Sequence, residues 1–342
     1  MNYKKKIMWF FGLVLPILGG IIGFNYYVDP LWFGTHQNQS NQIQDNFNER
    51  QQKTTHITYN EIDYDSLLFG SSRTTYINQH NFPNMEVYNY AVSNMSIQEF
   101  SGYIDYAKEL KNSDFDNLIL GLDFFASNKN REIQDPLMTI EQVNEPFYRL
   151  KNLMSIDTIE LSVNNLKASH TEEYNFQRNY SRSNVAVPGE VNKEEVADRV
   201  RETVKTYQND FYGDTYEYNE QYKLELEKLV IENSQTEFLV FTTPVTEEVF
   251  QVLYEENRIE DYKKWLQDII DVFGGVHHFM YINSVTANYQ EHYYDGHHFL
   301  PHVGDYMIYK MFDIENTSVP QDFGIYLTDE NIDEFFSEYI EQ

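Results

Sequence analysis

Uncharged and apolar positions are spread unevenly along this chain. Directly after Lys4-Lys5-Lys6, residues Ile7 to Phe24 carry no charge, a run that reaches the roughly 17–25 residues a helix needs to cross a bilayer. Further on, apolar residues come as short continuous blocks bounded by turn formers. Asp65-Ser66-Leu67-Leu68-Phe69 stops at Gly70, Leu118 to Leu122 stops at Asp123, Phe238 to Phe241 stops at Thr242-Thr243-Pro244, and Val276 to Ile282 forms a fourth block. Continuous rather than alternating runs predict strands buried on both faces. Between them the spacing becomes helical. Ser96-Ile97-Gln98-Glu99 reads as a capping box, with Ile97, Phe100, Ile104, Ala107 and Leu110 following on one face. Ile259, Tyr262, Leu266, Ile269, Ile270 and Phe273 line a second helix that ends at Gly274-Gly275. Strands alternating with helices predict an α/β fold, a parallel sheet covered on both faces to give three layers, α/β/α.

The same pattern divides the chain. Residues 1–28 are expected to form a cytoplasmic tip and a single transmembrane anchor, with the main domain outside the cytoplasm, periplasmic or at the cell surface, because lysines precede the apolar run. A cleaved signal peptide is the competing reading, but Gly20-Ile21-Ile22-Gly23-Phe24 makes a poor cleavage site. Residues 29–62, rich in Gln and Asn from His36 to His56, read as a juxtamembrane spacer. The α/β domain is expected over 63–315, with a helical insertion at about 127–235 that includes a helix capped by Asn192 and Glu195. Residues 316–342 read as an acidic tail with Phe335, Phe336 and Tyr339 as packing anchors.

Composition narrows the partners. With 54 acidic against 25 basic residues, the formal charge of −29 repels phosphate backbones, so no nucleic-acid partner is expected. Cysteine is absent, which removes disulfides, thiolate metal sites and a cysteine nucleophile.

The chemistry is concentrated in two short stretches, Phe69-Gly70-Ser71-Ser72-Arg73 and Tyr294-Asp295-Gly296-His297-His298. A serine hydroxyl becomes a useful nucleophile when an imidazole removes its proton and a carboxylate holds that imidazole in one tautomer. Ser72, His298 and Asp295 supply those three parts, and Gly70 permits a tight turn after the strand, where a following helix would offer backbone N–H groups to an oxyanion. Asp123 and Ser72 both fall at strand ends, where parallel sheets place their ligands. Neighbouring strand ends also favour an Arg73–Asp123 pair. His292, His297, His298 and His302 permit a metal reading, since His298 and His302 stand four apart, but the serine reading is preferred and neither metal nor cofactor is expected. His277 and His278 read as structural, one facing in and one out.

These residues resemble the SGNH-hydrolase (GDSL) superfamily, with Gly70-Ser71-Ser72-Arg73 standing where that family has Gly-Asp-Ser-Leu and Asp295-Gly296-His297-His298 where it has Asp-x-x-His. The resemblance covers about Asp63 to Phe312 and implies an SGNH/flavodoxin-like fold, with Ser72 as nucleophile, His298 as base and Asp295 as its orienting group. The Gly-Ser-Ser variant and the single N-terminal span are similar to the membrane-anchored branch that includes alginate O-acetylation proteins and the DltD proteins. That implies a serine O-acyltransferase or esterase acting on a cell-envelope or exported polysaccharide, with a membrane-bound O-acyltransferase as partner. Two positions depart from the family pattern. Asn94, in Ala91-Val92-Ser93-Asn94, stands near a glycine that donates its N–H to the oxyanion, and Asp123 stands where the family has an asparagine, leaving Asn128 as a substitute. An ionised carboxylate beside a forming oxyanion opposes it, so a non-catalytic SGNH-fold protein that binds glycan or scaffolds an envelope assembly is the alternative.

Overall fold

The structure, a computed structural model, describes residues 3–45, 48–171, 178–187, 189 and 192–340. The chain divides into two compact units, one of residues 1–61 and 137–189 and one of residues 62–136 and 190–342. Nine strands occur among the described residues: β1 (Ile43–Asp45), β2 (Ser66–Phe69), β3 (Val87–Asn89), β4 (Asn117–Leu122), β5 (Asn179–Ser181), β6 (Ala186–Val187), β7 (Glu237–Thr242), β8 (Val276–His278) and β9 (Ile325–Leu327).

The second unit is α/β. Its six-stranded sheet runs β3-β2-β4-β7-β8-β9, parallel throughout except for β9, which pairs antiparallel with β8 through Val276–Leu327 and His278–Ile325. The chain moves outward from β2 to β3, then returns past β2 to β4, so the order reverses at the neighbouring carboxyl ends of β2 and β4. An open sheet leaves a crevice at such a reversal. The strands are hydrophobic on both faces because helices intervene: Leu67, Leu68, Phe69, Ile119, Leu120 and Phe241 are all buried.

Local chemistry sets the helices of this unit. Helix α3 (Ile97–Lys111) starts at a full capping box between Ser96 and Glu99 and stops at Asn112, whose φ of 57° is left-handed. Its buried face is Ile97, Phe100, Tyr103, Ile104 and Ala107, while Leu110 faces solvent. The Ile259–Phe273 helix buries Tyr262, Trp265, Leu266, Ile269 and Ile270 and ends at Gly274 with φ 78°.

The first unit contains helix α1 (Tyr3–Val28), long and apolar enough to cross a membrane and with its apolar window unburied. Its base is fixed by a polar residue. Asn25 is buried and donates to the carbonyls of Leu153 and Ser155 at 3.0 and 3.2 Å, while Ser162 donates to its Oδ1 at 2.9 Å. The rest of the unit includes helix α2 (Glu49–Tyr59), the helices Pro136–Val143, Tyr148–Leu153 and Ile156–Thr171, and the small antiparallel sheet β1-β5-β6.

Several boundaries differ from the sequence reading. The stretch 29–62, expected as a spacer, folds: α2 is capped by Asn48 and buries Gln52, Lys53, Thr54, Thr55 and Ile57. Polar side chains can be buried there because they bond to one another, Tyr180 and Arg178 both meeting the Glu49 carboxylate. The insertion expected over 127–235 is shared between the units, its 137–189 part joining residues 1–61; residues 172–177, 188 and 190–191 lie outside the description. The segment after 315 is no loose tail, because it supplies edge strand β9 and buries Phe335, Phe336 and Ile340. The strand expected over Val276 to Ile282 stops at His278, where Thr242 Oγ1 accepts from the Phe279 N–H and takes over from the sheet ladder.

Candidate functional site

Ser72 leaves β2 on a turn held from several directions. Thr74 N–H donates to the Ser71 carbonyl at 3.1 Å, Thr75 Oγ1 donates to the Ser72 carbonyl at 2.6 Å, and a short 3-10 helix, Thr74–Tyr76, follows in place of the expected α-helix. The neighbouring strand secures that helix. Asn89, buried at the end of β3, donates to the carbonyls of Thr74 and Ile77, both at 3.0 Å. Gly70 and Gly121 are glycines for reasons of space, since a Cβ at either would come within 2.2 and 2.3 Å of Thr74 Oγ1. The threonine side chain fills the notch between the two strand ends.

Asp295 and His298 arrive on a loop that ends just before the Pro301–Met311 helix. One Asp295 oxygen accepts the backbone N–H groups of His297 and His298 at 2.8 Å each; the other accepts from His298 Nδ1 at 2.7 Å. Tyr294 N–H closes the loop on the His298 carbonyl at 2.8 Å, and Gly296 N–H donates to Thr203 on the Lys193–Thr206 helix. A Cβ on Gly296 would strike Thr203 and Val249 at 2.7 Å, so the loop passes too close for a side chain there.

The loop brings the imidazole to the serine. His298 Nε2 lies 2.9 Å from Ser72 Oγ, across 226 residues of sequence. With Nδ1 donating to the carboxylate, Nε2 is the acceptor, and the serine hydroxyl points its proton at it. Burial alone would raise the Asp295 carboxyl, but His298, His297 and the hydrogen bonds hold it well below the ordinary carboxylate range. It is therefore charged beside the His298 imidazole at neutral pH.

Beneath the serine turn lies a fully buried cation. Arg73 Nη1 contacts Asp123 Oδ1 at 3.0 Å and Thr243 Oγ1 at 3.1 Å; Nη2 meets the Tyr207 hydroxyl, and Thr243 also donates to Asp123. The guanidinium stacks over Phe125, 4.9 Å from its centroid. Burial lowers the Arg73 affinity for its proton, but Tyr207 and Asp123 outweigh that and raise it. Tyr207 is pushed up to about 12, first by burial, so it stays neutral while its hydroxyl oxygen accepts from Arg73 Nη2. The Asp123 charge is thus compensated within the protein.

The remaining sequence candidates occupy different positions. Asn94 adopts left-handed backbone at φ 57°, a conformation asparagine tolerates well, and its side chain and carbonyl both accept from Arg131. Asn128 spends its amide oxygen on backbone groups, accepting from Asn130 N–H in its own loop at 3.0 Å and from the distant Glu217 N–H at 3.2 Å. His302 pairs with His292 at 2.9 Å and not with His298. Ligand atoms of Asp295, His297 and His298 lie within 4.8 Å of one another, but both Asp295 oxygens are already engaged with His298 and two backbone N–H groups. Asn89, Thr203, Tyr207, Thr243 and Arg131 support the arrangement without having been picked from sequence. Thr243 had a signal, standing at the end of a buried strand before a proline; Tyr207 had none among 28 tyrosines.

Compared with known proteins, the chain matches no family model, no curated protein and no solved structure.

Proposed function

We propose that this protein is a membrane-anchored serine O-acyltransferase or esterase of SGNH type, acting outside the cytoplasm on an envelope or exported polysaccharide. The observation that carries the reading is the continuous chain from Ser72 Oγ through His298 to Asp295, at 2.9 and 2.7 Å. Ser72 Oγ attacks the acyl carbonyl while its proton passes to His298 Nε2. That proton then goes to the departing oxygen, leaving an acyl ester on Ser72 that water or a sugar hydroxyl removes by the reverse sequence. The backbone N–H groups of Ser72 and Asn94 are the donors we assign to the oxyanion, with Arg131 fixing Asn94. Compensation of Asp123 by Arg73 removes the repulsion that an isolated carboxylate would exert on that charge. The strand order, with its reversal between β2 and β4, is that of flavodoxin-like sheets, which supports the three-layer SGNH-like reading. Helix α1 supports the anchor, and a membrane-bound O-acyltransferase would be a fitting donor of the acyl group.

The test is hydrolysis of p-nitrophenyl acetate by the full-length protein in detergent. Ser72→Ala is expected to lower kcat by about 10⁶-fold with the unfolding midpoint unchanged, and a fluorophosphonate should add its phosphonyl group to Ser72 with loss of fluoride. A parent protein that neither hydrolyses the ester nor takes the label would overturn the reading in favour of a glycan-binding or scaffold module.

A further inference from the structure

Unit 1 places large apolar side chains on its surface close to the base of α1. On the Tyr148–Leu153 helix the inner position, Tyr148, is buried with Leu31, Phe33 and Val143. The residues at the spacing of the opposite face do the reverse. Phe147 is 75% exposed, Leu150 48% and Met154 37%, and Ile156, which begins the next helix, is 77% exposed. Four such residues within ten positions are not the scatter of single apolar residues that ordinary surfaces carry.

Their position along α1 is fixed by hydrogen bonds. The apolar run of α1 ends at Phe24, and the next residue, Asn25, holds the carbonyls of Leu153 and Ser155. The patch therefore belongs to the same turns of chain that grip α1 where its apolar stretch stops. A helix of 26 residues is about 39 Å long, enough to reach from one side of a bilayer to the headgroup level on the other. Tyr26 and Tyr27, each 51% exposed, stand at that level, where aromatic rings with a polar tip favour the interface.

We propose that unit 1 is seated on the bilayer surface, with Phe147, Leu150, Met154 and Ile156 buried among the lipid headgroups and upper acyl chains beside the exit point of α1. Lipid is the occupant because the patch is continuous with a segment whose own apolar surface is left for lipid. The contact is apolar, so it does not require anionic lipid, which the acidic chain would repel. It fixes the orientation of unit 1 on the membrane, and it is independent of any chemistry at Ser72.

The chain has no cysteine, so single-cysteine variants can be labelled cleanly. The full-length protein, in phosphatidylcholine vesicles, would carry an environment-sensitive fluorophore at Phe147→Cys or Ile156→Cys, with Leu13→Cys as the membrane reference and Glu330→Cys as the aqueous one. Lipids bearing a nitroxide near the headgroup should remove most of the emission at 147 and 156, and iodide should quench there several-fold less than at 330. Labels at 147 and 156 as open to iodide as 330, with Leu13 still quenched by lipid, overturn the seating and leave α1 as a span. A Leu13 label untouched by lipid quenchers overturns both. Labels at 147 and 156 shielded from iodide yet unreached by the nitroxide mean that a protein surface covers the patch, a second copy or a partner, and this too overturns the proposal.

Discussion

Both units bury charge, but they put it to different uses. In the α/β unit the interior is apolar and aromatic, its strands lined with Leu67, Leu68, Ile119, Leu120 and Phe241, and its buried Arg73–Asp123 pair lies directly under the serine turn. In the first unit the buried set includes Asn25, Asp29, Gln52, Lys53 and Arg178 beside Phe33 and Ile57, while Phe147 and Ile156 stand on the outside. Buried ion pairs serve different ends in the two. Arg182 meets Asp29 at 2.9 Å, and Asp29 also accepts the N–H groups of Phe33 and Gly34, which closes the chain just after α1. The lesson is that burial of charge does not by itself mark a functional site. What distinguishes Arg73 is its covalent neighbour, Ser72, and the strand ends that converge on it.

Removing one partner of each pair sharpens this difference. Asp123→Ala and Asp29→Ala should each cost about 3–5 kcal/mol, because each strands a buried guanidinium. Denaturant unfolding checks the loss, while ester hydrolysis should fall in Asp123→Ala and persist in Asp29→Ala under folding conditions. Equal loss of hydrolysis in both would erase the distinction.

Acid should act in the α/β unit chiefly through the His278 imidazole. His278 is fully buried; Thr242 donates to its Nδ1 and its Nε2 donates to Tyr262, and burial lowers its pKa to about 3. A depressed folded value means that stability is fully present above the unfolded value of about 6.5 and is lost as pH falls toward about 3. His278 is expected to contribute about 1.4 kcal/mol per pH unit to the slope below 6, read from unfolding curves at pH 7, 6 and 5, and His278→Gln should lower the slope by that amount. An unchanged slope in that variant would assign the acid sensitivity elsewhere.

The smallest effects should be the same in both units. Ser96 caps α3 in one and Asn48 caps α2 in the other, Asn48 accepting from Gln51 N–H at 3.1 Å. Alanine at either is expected to cost about 1 kcal/mol. Markedly different costs would show that the units differ in helix chemistry as well as in the placement of charge.

Local pattern determined a good deal here. Continuous apolar runs marked β2, β4 and β7, the capping box marked the start of α3, and Gly274 marked the end of the Ile259–Phe273 helix, because strand burial, caps and left-handed glycines are decided by neighbours in sequence. Ser72, Asp295 and His298 could be picked as a set because each stands in a short motif at an element's end. The short strands β3 and β9 were not legible, since three residues carry too little periodicity and their place is set by the edge they pair with. Nor was the fold of residues 29–62: a Gln-rich segment reads as solvated until Tyr180 and Arg178, more than a hundred residues on, meet Glu49. The 2.9 Å between Ser72 and His298, the places of Tyr207 and Thr243 around the expected Arg73–Asp123 pair, and the outward turn of Phe147 and Ile156 were decided only by the tertiary structure. Each depends on which strand ends and helix faces come together, and that is a property of the whole packed chain rather than of any stretch of it.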